Sequence, residues 1–218
     1  MSQPFDTIPW ARQLIHVPIL HSPADMGSMA EKLAAAYVAR FGRKPWQEFL
    51  AAIEGFWRNV RAELERLQLD YRQVDLYQDG LPVCGREMEI VQKAGAMGGQ
   101  NYQLLLDLLA KGATLMGTED PNLLLKEYRS ILAGLDGVRD SGFGIREETA
   151  KSPLPRIPNS ESRTPADQTL ADRDAYIGKR IDQSLRPGRI GILFLGMTHN
   201  VESFLPEDIV VRRLASPG

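Results

Sequence analysis

Residues 190–195, Ile-Gly-Ile-Leu-Phe-Leu, form an apolar run bounded by Arg189 and Gly196. A run of this length without polar alternation predicts a strand covered on both faces, the situation of a parallel sheet in an α/β fold. His199 follows three residues after Gly196. That spacing places an imidazole just past the C-terminal end of a buried strand, where open parallel sheets form their ligand crevice.

The remaining chain supplies partners for such a strand. Residues 13–20, Gln-Leu-Ile-His-Val-Pro-Ile-Leu, read as a first strand with Pro18 near its end, since proline cannot donate to the middle of a ladder. His21 ends it, and Ser22-Pro23-Ala24-Asp25 carries a helix-start signature that predicts a helix to about Arg40. Trp46, Phe49, Leu50, Ile53, Trp57, Val60, Leu64 and Leu67 recur at three- and four-residue spacings, the stripe of a long amphipathic helix opened by Pro45. Residues 71–77 alternate as a strand does, and Asp79 falls just beyond them. Helices over 87–96 and 100–110 are separated by Gly98-Gly99, and residues 113–117 form a short third strand. Glu119 then stands at the corner before a helix over 122–133, with Asp120 as N-cap and Pro121 as its first residue.

From 137 to 167 the periodicity disappears among prolines, glycines, serines and charges, which predicts a flexible insertion or lid. Helical spacing returns over 170–185, the buried strand follows, and residues 209–211 suit an edge strand. The alternation of strands and helices predicts a single α/β domain over 1–218, with a mostly parallel sheet flanked by helices.

Three of the four predicted interior strand ends therefore carry Asp79, Glu119 and His199, and the fourth carries His21. In a parallel sheet these converge on one edge. Two imidazoles and two carboxylates together suit a divalent metal ion, or a division of general acid and base roles. Asp25 and Asp120 are assigned chiefly to helix capping, and His16, inside the first strand, to a hydrogen-bonded place in the core. Cys84, the single cysteine, has no activating neighbour in sequence and is read as inert.

Composition narrows the partner. A net charge of -2 and a pI near 6.0 argue against the basic surface that nucleic acid requires, leaving a small-molecule substrate. The sequence has neither a secretory pattern at Met1 nor an apolar run of bilayer-spanning length, so no membrane is expected and a cytoplasmic location is. Oligomeric state is not encoded in any feature of this kind.

Gly196-Met-Thr-His199, preceded by the helix Asp172-Arg-Asp-Ala-Tyr-Ile-Gly-Lys-Arg-Ile181, resembles the C-terminal part of the TraB/Tiki and erythromycin-esterase-like (ChaN-like) superfamily. In that group an Arg-Asp helix leads into a strand ending in Gly-x-x-His, and an earlier motif of the same kind follows the first strand. Pro18-Ile-Leu-His21 stands in that earlier place, with proline where the family has glycine, and Glu119 is similar to a later strand-end glutamate. The resemblance implies an α/β core and a metal-dependent hydrolase acting on a small ester or peptide-like substrate. It implies His21, His199 and Glu119 as metal ligands or acid–base groups. Arg173 and Asp174 would support the site, and the carboxylate that the family's Gly-Glu-x-His form carries before the first histidine, absent before His21, would be supplied by Asp25 or Asp79. The rival expectation is a non-catalytic module that captures a small anion at the helix starts Ser22-Pro23 and Asp120-Pro121, and a third is an adaptor docking partners through 137–167.

Overall fold

The computed structural model of this chain describes residues 11–20, 30–140 and 165–214. Strand β1 (Arg12–Ile19) leads to two helices, α1 (Ala30–Phe41) and α2 (Arg43–Arg66), and then to β2 (Val74–Gln78). Helices α3 (Glu87–Ala96) and α4 (Gln100–Ala110) precede β3 (Thr114–Met116), and α5 (Pro121–Asp140) and α6 (Pro165–Ser184) precede β4 (Ile190–Gly196). A 3-10 turn, Val201–Phe204, connects β4 to the last strand, β5 (Ile209–Arg213).

The five strands form one all-parallel sheet in the order β3-β2-β4-β1-β5. The apolar run expected to be doubly covered is the central strand, β4. Its residues alternate between two cores: Ile192 and Phe194 pack with α2 and α4, whereas Leu193 and Leu195 pack with Ile177 and Ile181 of α6. Both faces are thus occupied, which is why this strand cannot afford polar alternation. The connections from β1 to β2 and from β2 to β3 step one way along the sheet on the α2/α4 face. Those from β3 to β4 and from β4 to β5 step back on the α6 face. Leftward steps on one face and rightward steps on the other are what a single crossover hand demands.

Between β2 and β4 the chain therefore departs in opposite directions, a switch point at the C-terminal edge. Close packing maintains it. A Cβ on Gly178 of α6 would stand 2.7 Å from Phe204 Cβ and 2.9 Å from Phe204 O, so only glycine lets the helix approach the turn after β4.

Three expectations shift. Residues 71–73 are a 3-10 turn and not strand, because the Asp70 carboxylate accepts the Arg72 amide and closes a local turn. Helix α5 runs to Asp140, past the predicted end near 133, and α6 begins at Pro165, so both ends of the predicted 137–167 insertion are helical. Its remainder, together with the predicted helix start at 22–25, lies outside the described residues. Among the described residues no helix is long and apolar enough to cross a membrane.

Candidate functional site

Asp79 and Glu119 are brought side by side because the β2–β3 pairing continues past the strands themselves. The Thr118 and Glu119 amides both donate to Leu81 O, the Val83 amide donates to Glu119 O, and Pro82 pairs with Glu119. Across the switch point the Asp79 amide donates to Phe194 O at 2.8 Å, and the Asp79 carboxylate accepts the Gly196 amide at 3.0 Å. The aspartate after β2 therefore also fastens the end of β4.

Into this corner α6 inserts Arg173. Its Nε donates to Glu119 Oε2 at 2.6 Å, and its Nη2 to both Glu119 Oε1 and Asp79 Oδ1 at 2.7 Å. Nη1 donates to both oxygens of Glu127 on α5 at 2.8 Å. Glu119 also accepts the Gly80 amide at 2.6 Å and is 1% exposed. Burial raises the Glu119 carboxyl above its usual range against the opposing pull of Arg173, and the neighbouring Asp79 charge raises it further. Burial alone would weaken the Arg173 charge, but Glu119, Asp79 and Glu127 hold its pKa above the ordinary value.

The next residue on α6, about 100° round the helix, serves the other half of the edge. Asp174 Oδ1 lies 2.5 Å from His199 Nδ1, and Asp174 Oδ2 accepts the Asn200 amide at 2.9 Å. His199 Nε2 lies 3.6 Å from Asp79 Oδ2, within electrostatic range but beyond a hydrogen bond. Burial works to lower the His199 pKa, but the Asp174 hydrogen bond and the Asp79 charge outweigh it and leave it above the usual histidine value. The consecutive Arg173-Asp174 pair thus joins three strand ends into one polar network.

Of the residues anticipated from sequence, Asp79, Glu119, Arg173, Asp174 and His199 meet at this edge, while His21 and Asp25 lie outside the described residues. Glu127 was not anticipated; between Lys126 and Tyr128 on an amphipathic helix it reads as a solvated charge. Asp120 caps α5 as expected, accepting the Asn122 and Leu123 amides at 2.7 and 3.2 Å. His16 occupies the core place expected of it, 7% exposed, with Nδ1 3.2 Å from Glu202.

A metal ion implied by the resemblance would ask Glu119 to be a ligand. Its two oxygens instead accept three N–H groups, two of them from a guanidinium that would repel a cation. Among the described residues no group of three or more His, Cys, Asp or Glu side chains is disposed around a metal position. Glu119 therefore does not fit the ligand role in this arrangement. His199 does retain the form of a ligand, with one ring nitrogen fixed by a carboxylate.

Comparison with family models, with curated proteins and with solved structures finds no match. The likeness to the TraB/Tiki and erythromycin-esterase-like group accordingly rests on the short motifs alone.

Proposed function

We propose that the protein is a hydrolase of a small ester or peptide-like substrate, with His199 as the acid–base group at the C-terminal edge of the sheet. The observation that carries this reading is the line Asp174–His199–Asp79, in which Nδ1 is fixed at 2.5 Å and Nε2 is turned toward a second carboxylate. A carboxylate at Nδ1 selects the tautomer and stabilises the imidazolium that forms when Nε2 takes a proton. In the proposed cycle Nε2 accepts a proton from water as the water oxygen bonds to the carbonyl carbon. The bond to the leaving oxygen or nitrogen then breaks, and that atom takes the proton back from Nε2. Arg173 has no part in this exchange; it holds Asp79 in place. With 3% of the His199 side chain exposed, the reading requires the ring to open to substrate.

Capture of a small anion is less favoured. The Asn122 and Leu123 amides at the start of α5, which an anion would need, already serve Asp120, and four carboxylates face Arg173 and His199 at this edge.

Hydrolysis of neutral activated esters by the purified chain tests the reading. His199→Gln should lower kcat about 10²- to 10⁴-fold with the circular dichroism unchanged. Asp174→Asn should move the rising limb of the pH–rate profile to lower pH, because it removes the hydrogen bond that raises the His199 pKa. Full turnover by His199→Gln would end the proposal. Elemental analysis of the same samples settles the metal: stoichiometric metal that is lost in His199→Ala would reassign Nε2 as a ligand.

A further inference from the structure

A cleft of about 580 Å³ opens beside the polar network, within the size range of small-molecule sites. Its walls are Pro82 from the loop after β2, and Pro121, Leu124, Leu125 and Tyr128 from α5. Leu125 and Tyr128 are 51% and 47% exposed, although their positions on an amphipathic helix would ordinarily turn toward a core. The two further lining residues tie the cleft to the site. Gly80 donates its amide to Glu119, and Glu127 binds Arg173 through both oxygens.

Glu127 gives the cleft its sign. Arg173 takes two of the roughly four acceptor positions on that carboxylate, and 35% of the side chain is exposed. The edge as a whole carries Asp79, Glu119, Glu127 and Asp174 against Arg173 and His199. Arg180, bonded to Gly117 O, lies within electrostatic range of Glu87, whose carboxyl is held below the usual range, against burial, by the Cys84 and Gly85 amides and to a smaller extent by Arg180. Glu127 is the one charged side chain among the described residues that line the cleft, so an ammonium group is attracted there, an uncharged one tolerated and an anion disfavoured.

We infer that this cleft is the specificity pocket of the hydrolytic site and that it takes an apolar, neutral or positively charged group, such as an alkyl or aromatic chain bearing an amine, with the amine toward Glu127. This rests on the hydrolase reading, but the cleft and the chemistry can be tested apart.

Binding is measured by calorimetry on the full chain with hexylammonium, octylammonium, octanol and octanoate, and turnover with neutral esters of rising acyl length. Octylammonium should bind more tightly than hexylammonium, with a gain of up to about fourfold per buried methylene, and octanoate should bind weakest. kcat/KM should rise with acyl length in the same way. Leu125→Asp, which leaves every residue of the polar network in place, should abolish the length dependence of both binding and turnover. Glu127→Gln should narrow the preference for octylammonium over octanol. Chain-length-dependent binding without turnover by any ester would support the cleft and overturn the hydrolase reading. Turnover independent of acyl length, or octanoate binding as tightly as octylammonium, would overturn the cleft.

Discussion

The two edges of the sheet each hold a nearly buried arginine in a cluster of carboxylates, yet the clusters are built for different ends. At the N-terminal edge Arg12 bonds Asp208 and Asp182, whose side chains are 48% and 47% exposed, and its Nη1 reaches the carbonyls of Asp182 and Leu185 at the end of α6. Arg189 likewise joins Asp75 to the Arg72 and Val74 carbonyls. These arginines satisfy helix-end and loop carbonyls; the carboxylates of Arg12 are open to solvent, whereas Arg189, itself more exposed, pairs with the buried Asp75. At the C-terminal edge Arg173 donates, among the described residues, to carboxylates alone, two of them almost fully buried. A histidine continues the network. Stitching of the fold needs carbonyls and a matching counter-charge for each arginine; a buried surplus of carboxylates around an imidazole goes beyond that need, and that difference marks the edge where chemistry is proposed.

The comparison breaks most visibly if the two arginines prove equivalent. Arg173→Met would leave Asp79 and Glu119 buried without their cation, and should cost about 3–5 kcal/mol of stability in urea unfolding. Arg12→Met removes partners that solvent already screens, so its cost should be smaller, about 1–2 kcal/mol. Equal losses would mean that both clusters are structural stitching. Glu127→Gln offers a milder probe than Arg173→Met: it keeps the shape but removes the charge and one of the two acceptor oxygens of a partly exposed partner, and should lower the melting temperature by less than Arg12→Met.

What the sequence made legible follows the same division. Strand ends could be read because a fully apolar strand, or a turn residue after one, is a local signal: Asp79, Glu119 and His199 were each placed by the stretch that precedes them. The bounds of α3 and α4 were legible for a similar reason, since Gly98 adopts φ 94 and few other residues would end a helix there. The strand order β3-β2-β4-β1-β5 was not, because neighbouring in a sheet depends on which helix faces cover it and no single segment encodes that. The hub role of Arg173 was legible only in part. The resemblance marked the Arg-Asp pair as supporting the site, but that Arg173 meets two strand ends at once depends on how α6 packs, and Glu127 offers no local cue at all.

The smallest effect bears on the histidine that separates the two edges. His199 has a folded pKa above its unfolded value near 6.5, so protonation favours the fold. Its contribution is fully present below that unfolded value and is lost as the pH rises through the raised folded one. Burial opposes Asp174 and Asp79 in setting the shift, so the net slope should be shallow. Unfolding free energies measured from pH 6 upward should decline for the wild type and do so less in His199→Gln, with Arg12→Met retaining the wild-type slope, since Arg12 holds its partner Asp208 below the usual carboxylate range. A slope that persists unchanged in His199→Gln would place the titrating group elsewhere and remove the electrostatic coupling on which the distinction between the edges depends.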